Sequence, residues 1–173
     1  MQKFPDLPYE RPDFTVFSEQ FHALVSDFRN ASSATVQNEV LQQINEMRNT
    51  METMMSVASI RHSIDTKDAF YEAERDYIDN IGPLYSDICN SYYKALAGST
   101  FRPDLEKIWG KQLFRMAELA VKCISPEVIE DLQKENALGT EYSKLLASAK
   151  IMFDGEERNL AGMAPYQQSM DRD

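Results

Sequence analysis

Two histidines, His22 and His62, limit what metal or proton-transfer chemistry this sequence can hold. His22 closes Glu19-Gln20-Phe21-His22. That Glu-x-x-His feeds a di-iron site in some four-helix bundles, where two helices each supply the motif and two others each supply a glutamate. His62 has Ser59 three residues before it, so the second copy is missing. The plainer reading places His22 on a helix edge in a structural role. Arg61-His62 ends a helical stretch, where cations meet free carbonyls and the negative end of the helix dipole. A substrate-facing pair is the sharper alternative there. Glu72-Ala73-Glu74-Arg75-Asp76 offers paired carboxylates suited to acid–base work. Its place at the start of a predicted helix makes it a solvated face favoured by the dipole. Cys89 and Cys123 have no histidine close in sequence to activate a thiol. Both lie in apolar helical pattern and read as buried reduced thiols, with a disulfide between them left open. No Gly-rich phosphate loop and no Gly-x-Ser-x-Gly elbow is present. The residues alone assign no catalytic residue, no metal ligand and no substrate-binding residue.

The elements that would position these groups follow from periodicity. Residues 1–11 carry Pro5 and Pro8 and read as an extended arm. Pro12 suits the first position of a helix, and Phe14, Phe17, Phe21, Leu24, Val25 and Phe28 form its apolar stripe. A second helix is predicted over about 34–63. Val40, Ile44, Met47, Met51, Met54 and Ala58 step along it by fours and threes, the spacing of a helix packed along its whole length. Met47, Met51, Met54 and Met55 read as core filler, with an adaptable binding groove as the alternative. Asp65-Thr66 offers a cap for a third helix over about 67–97, and Pro83 predicts a kink or break near 79–82. A fourth helix runs from Pro103 through Ala120. A fifth starts at Ser125-Pro126, with a stripe of Val128, Ile129, Leu132, Leu138, Tyr142 and Leu145.

Ile151 to Phe153 and Glu156 to Leu160 read as two strands joined by Asp154-Gly155, a pair that suits a type I′ turn. Ser169 offers a cap for a helix that has only begun at Asp173. The fold class expected is mainly α: an antiparallel bundle of about five long helices with a C-terminal β-hairpin. Residues 1–148 form the helical domain, 149–162 the hairpin, and 163–173 the start of a truncated following segment.

The 173 residues suit one domain, with 43% hydrophobic and 27% charged residues. A formal net charge of −10 disfavours nucleic acid and anionic membrane surfaces as partners. The start has no uninterrupted apolar stretch of a signal peptide, and no segment reaches the length of a membrane span. A cytoplasmic location is expected.

Several stretches taken together resemble a known family: Arg61 to Thr66, Trp109 to Phe114, Ser125 to Leu132, Tyr142 to Leu145 and Ala149 to Glu157. They are similar, in order along nearly the whole chain, to the N-terminal part of oligoendopeptidase F-type enzymes, thimet-like zinc metallopeptidases that cleave short peptides. The resemblance implies a mostly helical fold around a deep channel. It also implies zinc held by His-Glu-x-x-His on one helix and a further glutamate downstream, with the intervening glutamate activating water. Here His22 is followed by Ala23 and His62 by Ser63, so no ligand carries over to any position.

The expectation is a non-catalytic segment forming part of a substrate-channel wall. It would be inactive alone, with no cofactor of its own, and zinc would belong to the full-length parent. Its partner would be the missing catalytic portion, which would act on short peptides. Exposed apolar surface on the isolated chain would favour self-association. The alternative is a stand-alone helical module binding a partner helix or peptide through the Met-rich second helix or the hairpin edge.

Overall fold

A computed structural model describes residues 7–123 and 126–168. Among them are seven α-helices: α1 Phe14–Asn30, α2 Ala34–Ile64, α3 Ala69–Ala97, α4 Arg102–Trp109, α5 Lys111–Cys123, α6 Ile129–Ala147 and α7 Ala164–Gln167. One antiparallel hairpin, β1 Ile151–Phe153 with β2 Glu156–Arg158, lies between α6 and α7 and pairs Ile151 with Arg158.

Local chemistry explains most of the boundaries. The Asp13 carboxylate accepts from the amides of Thr15 and Val16, so Asp13 caps α1 and Pro12 sits outside the helix. The Ser33 hydroxyl accepts from Val36 N and starts α2. At α3 the cap is Asp68, which accepts from Phe70 N and Tyr71 N. The expected Asp65-Thr66 cap is displaced because Asp65 closes α2 instead, its amide donating to the Arg61 carbonyl. The expected fourth helix is divided: Gly110, at φ 78°, ends α4, and α5 begins at Lys111. A side chain is strained at such a φ and glycine is not. The helix after Pro126 opens as a 3-10 turn over Pro126–Val128 and becomes α-helical at Ile129. Its expected cap, Ser125, lies outside the described residues. So does Ser169; before it stand a 3-10 turn, Ala161–Met163, and the four-residue α7. Asp154 (φ 52°) and Gly155 (φ 77°) both take the left-handed conformation that the hairpin turn requires.

Pro83 neither ends nor divides α3, which runs continuously for 29 residues. Of the expected kink or break, the break is overridden by packing, because α3 touches α1, α2, α5 and α6 and is held from several sides. Cross-helix contacts give the directions. Ser59, Glu52, Arg48 and Gln37 on α2 meet Arg75, Tyr85, Tyr93 and Ser99 in turn, so α2 and α3 are antiparallel. Phe17 meets Tyr85 and Phe21 meets Tyr92, so α1 runs parallel to α3. The core lies among α1 to α5 and includes the fully buried Phe21, Phe28, Leu41, Ile44, Tyr92, Leu96, Leu105 and Phe114. Each such side chain contributes about 1.5–3 kcal/mol of burial free energy.

The stripe expected along α6 is half-buried at Ile129 and Leu132 and turns outward beyond them. Leu138, Tyr142 and Leu145 are exposed, while Thr140 is the buried residue of this helix. The face of α6 turned to α3 is polar, and the reason lies in α3.

Candidate functional site

The N-terminal half of α3 carries a polar seam that fastens three other segments. Glu74, only 2% exposed, accepts from Arg11 Nη2 at 2.6 Å and Nε at 3.0 Å, and from the Tyr9 hydroxyl. Arm residues 7–13 therefore lie along α3, and the Tyr77 hydroxyl donates to the Pro12 carbonyl at 2.7 Å. Arg61 at the end of α2 donates to the Leu7 carbonyl and to Tyr71, each at 2.6 Å. One turn on, Arg75 pairs with the buried Asp79 at 2.8 Å and donates to Ser59 and Thr140. The Thr140 hydroxyl donates in turn to Asp79 Oδ2. Lys144 bridges to Glu72 at 2.8 Å, and Gln133 Nε2 donates to the Asn80 carbonyl. The run Glu72 to Asp76, expected as a solvated face, is thus partly buried and interlocked, because its partners arrive from segments about 60–70 residues away in sequence.

Glu74 and Glu72 are held ionised. Hydrogen bonds from Arg11 and Tyr9 keep the Glu74 carboxyl below the ordinary range against the opposing effect of burial, and the Lys144 hydrogen bond does the same for Glu72. Burial and Glu74 together push the Tyr9 phenol well up. A carboxylate so fixed is an acceptor and positions segments; it does not trade protons near neutrality.

His62 lies beside the seam and is 6% exposed, with Nε2 lacking a hydrogen-bond partner among the described residues. Burial pulls its pKa down, and the nearby Lys144 and Arg75 cations pull it further. His22 is exposed on α1. Among the described residues, no three histidine, cysteine, aspartate or glutamate side chains form a group able to hold a metal ion.

A second polar cluster occupies the middle of α2 and α3. Arg48 donates to Glu52 and Tyr93 and lies over the Tyr92 and Tyr93 rings at 5.6 and 5.4 Å. The Tyr85 hydroxyl donates to Glu52 at 2.6 Å. Burial raises the Tyr92 phenol to about 12 and also raises the Cys89 thiol. Cys89 is a free, buried thiol, not a poised thiolate. The Cys123 side chain lies outside the described residues, and with it the question of a disulfide.

An apolar groove of about 600 Å³ runs between the arm, α1 and α2. Met47, Met51 and Met54 line it, with Val16, Pro12 and Arg11 on the opposite side. Met51 also belongs to the core, and Met47 and Met55 pack against it, so this stripe both fills the interior and floors the groove.

The sequence did not single out Tyr9, Arg11, Arg48 or Thr140. The i,i+4 pairs Arg48–Glu52 and Arg75–Asp79 were the available signal, since that spacing brings opposite charges together on a helix. Nothing local marks Arg11 as the partner of Glu74.

A search of curated proteins finds no match. A model of the peptidase M3 N-terminal domain matches residues 4–124. Three solved structures are similar over nearly the whole chain. One, assigned as an oligoendopeptidase F, is 48% identical with a TM-score of 0.92 over 98% of this chain. PZ peptidase A, solved with an inhibitor, is 47% identical with a TM-score of 0.91 over 96%. An oligoendopeptidase F assignment from Bacillus anthracis str. Ames is 45% identical with a TM-score of 0.92 over 97%. The chain spans only 30–31% of the length of these structures. Its helical bundle and its sequence place it with their N-terminal part, and the chain belongs to the peptidase M3 N-terminal domain family.

Proposed function

We propose that this chain is the non-catalytic N-terminal segment of a zinc oligoendopeptidase and forms part of the wall of its peptide channel. The observation that carries the reading is the alignment of 98% of the chain with 30% of a chain assigned as an oligoendopeptidase F. The zinc, its ligands and the cleavage of short peptides belong to the remaining portion. The residues described here do not fit a zinc ion, since no group of three ligating side chains is present among them. Their work is positional: the ion pairs of α3 hold the arm and α6 in fixed register on the bundle. Within this reading residues 1–148 are the helical domain and 149–162 a hairpin leading into the next part of the chain. No helix among the described residues is long and apolar enough to cross a membrane, which suits the cytoplasmic setting we propose.

The test replaces the aligned segment of the B. anthracis relative with this chain and assays short fluorogenic peptides with and without a chelator. The fusion is expected to cleave, to lose activity on chelation, and to be inactive when the segment is deleted. Zinc-dependent cleavage by the 173-residue chain alone would refute the proposal.

The Met-lined groove favours a second reading, a stand-alone module that takes an apolar helix or peptide. Saturable binding of such peptides by the isolated chain, lost on Met54→Glu, would support it.

A further inference from the structure

The two faces of α6 are reversed relative to an ordinary amphipathic helix. Gln133, Thr140 and Lys144 recur at helical spacing and face α3. Leu138, Tyr142 and Leu145 recur at spacings of four and three on the other side and are 64%, 62% and 67% exposed. Half a turn of α6 would bury these three. It would also set them against Glu72, which would lose Lys144, and against the Arg75–Asp79 pair, which would lose its hydrogen bonds with Thr140. Covering polar groups with apolar side chains and removing their hydrogen bonds is costly, so the seam turns the apolar ridge outward. A solvent-facing helix normally carries its polar side there, so the ridge is shaped to be covered.

We infer that this ridge of α6 is the surface against which the catalytic portion of an M3 peptidase docks. The inference rests on the functional reading above and names its contact face. Two observations select this occupant over a second copy of the chain. The bundle keeps its arrangement, at TM-scores of 0.91–0.92 over 96–98% of its length, inside chains more than three times as long. The N-terminal domain match ends at residue 124, so α6 and the hairpin lie beyond it, between that domain and whatever follows in the longer relatives. Beyond the end of α6 the hairpin exposes further apolar side chains, with Met152 69% and Phe153 41% exposed.

The experiment places a cysteine on the ridge, Leu145→Cys, in a Cys123→Ser background. Maleimide labelling is read peptide by peptide in the isolated chain and in the fusion with the B. anthracis catalytic portion. Cys89, buried in the core, reports folding by staying unlabelled. Thr35→Cys, on an exposed stretch of α2, reports general access. The ridge cysteine is expected to label about ten-fold or more slowly in the fusion than in the isolated chain, with the Thr35 site unchanged. Equal rates at the ridge would overturn the docking inference even if the fusion cleaves peptides, which would leave the functional proposal standing. Slowed labelling in an inactive fusion would do the reverse. Slow labelling already in the isolated chain, rising on dilution, would show a second copy on the ridge and overturn the inference. If the fusion does not fold, the same labelling runs on the two parts expressed separately and mixed, with the same outcomes.

Discussion

His62 is where a single residue has a readable effect. It is buried between the end of α2 and the polar seam, with Lys144 and Arg75 bearing on it and Glu72 and Asp76 opposing them. Its folded pKa lies below the ordinary value of about 6.5. Between those two values the unfolded chain binds a proton that the folded chain does not, so stability falls as pH is lowered through about 6.5. Melting temperature is therefore expected to drop between about pH 7.5 and pH 5.5, and His62→Gln is expected to flatten that slope. A parallel slope in the variant would assign the dependence to other groups. His22, the histidine with the more suggestive neighbours in sequence, is exposed. Burial decided between them, and the Lys144 charge that bears on His62 arrives from α6, whose approach no local pattern near His62 announces.

At the scale of elements, helix existence was legible and helix ends were less so. The stripe of α1 and the long second helix followed from apolar spacing, and the hairpin from Asp154-Gly155. The ends were set by competition between neighbours of similar chemistry. Asp65 and Asp68 are both good caps, and α3 takes Asp68 because Asp65 is engaged by the last turn of α2. Asp68→Ala is expected to cost about 1 kcal/mol, the usual value of a lost cap. Asp65→Ala should cost less than about 0.5 kcal/mol. Urea melts of the two variants check this, and the opposite ranking would restore the earlier start. Trp109-Gly110-Lys111 read as continuous because the apolar pattern carries across it, and periodicity is blind to one residue with positive φ. The stripe of α6 was legible as a stripe, but not that Leu138, Tyr142 and Leu145 on it face outward. A sequence shows which residues share a face, and only the partners of Glu72 and Asp79 show which way the face turns.

For the molecule as a whole, the polar seam separates two kinds of adhesion. The helices α1 to α5 share a continuous apolar core, whereas α6 meets α3 through the Lys144–Glu72 ion pair and hydrogen bonds around Thr140. Apolar burial dominates cooperative stability, and partly exposed ion pairs add little. Amide exchange in the isolated chain is therefore expected to be slowest in α2 and α3 and clearly faster in α6 and the hairpin. Uniform protection across all helices would show that α6 belongs to the same cooperative unit. The arm's fastening bears on the order in which the chain is made. Arg11 precedes Glu74 by 63 residues, which at about 5–20 residues per second take roughly 3–13 s to emerge from a ribosome. Until then Tyr9 and Arg11 have nothing to hold, while α1 and α2 can already close on each other. Tyr9 and Arg11 are thus seated several seconds after they are made, and anything fused ahead of them acts on that delayed step of folding.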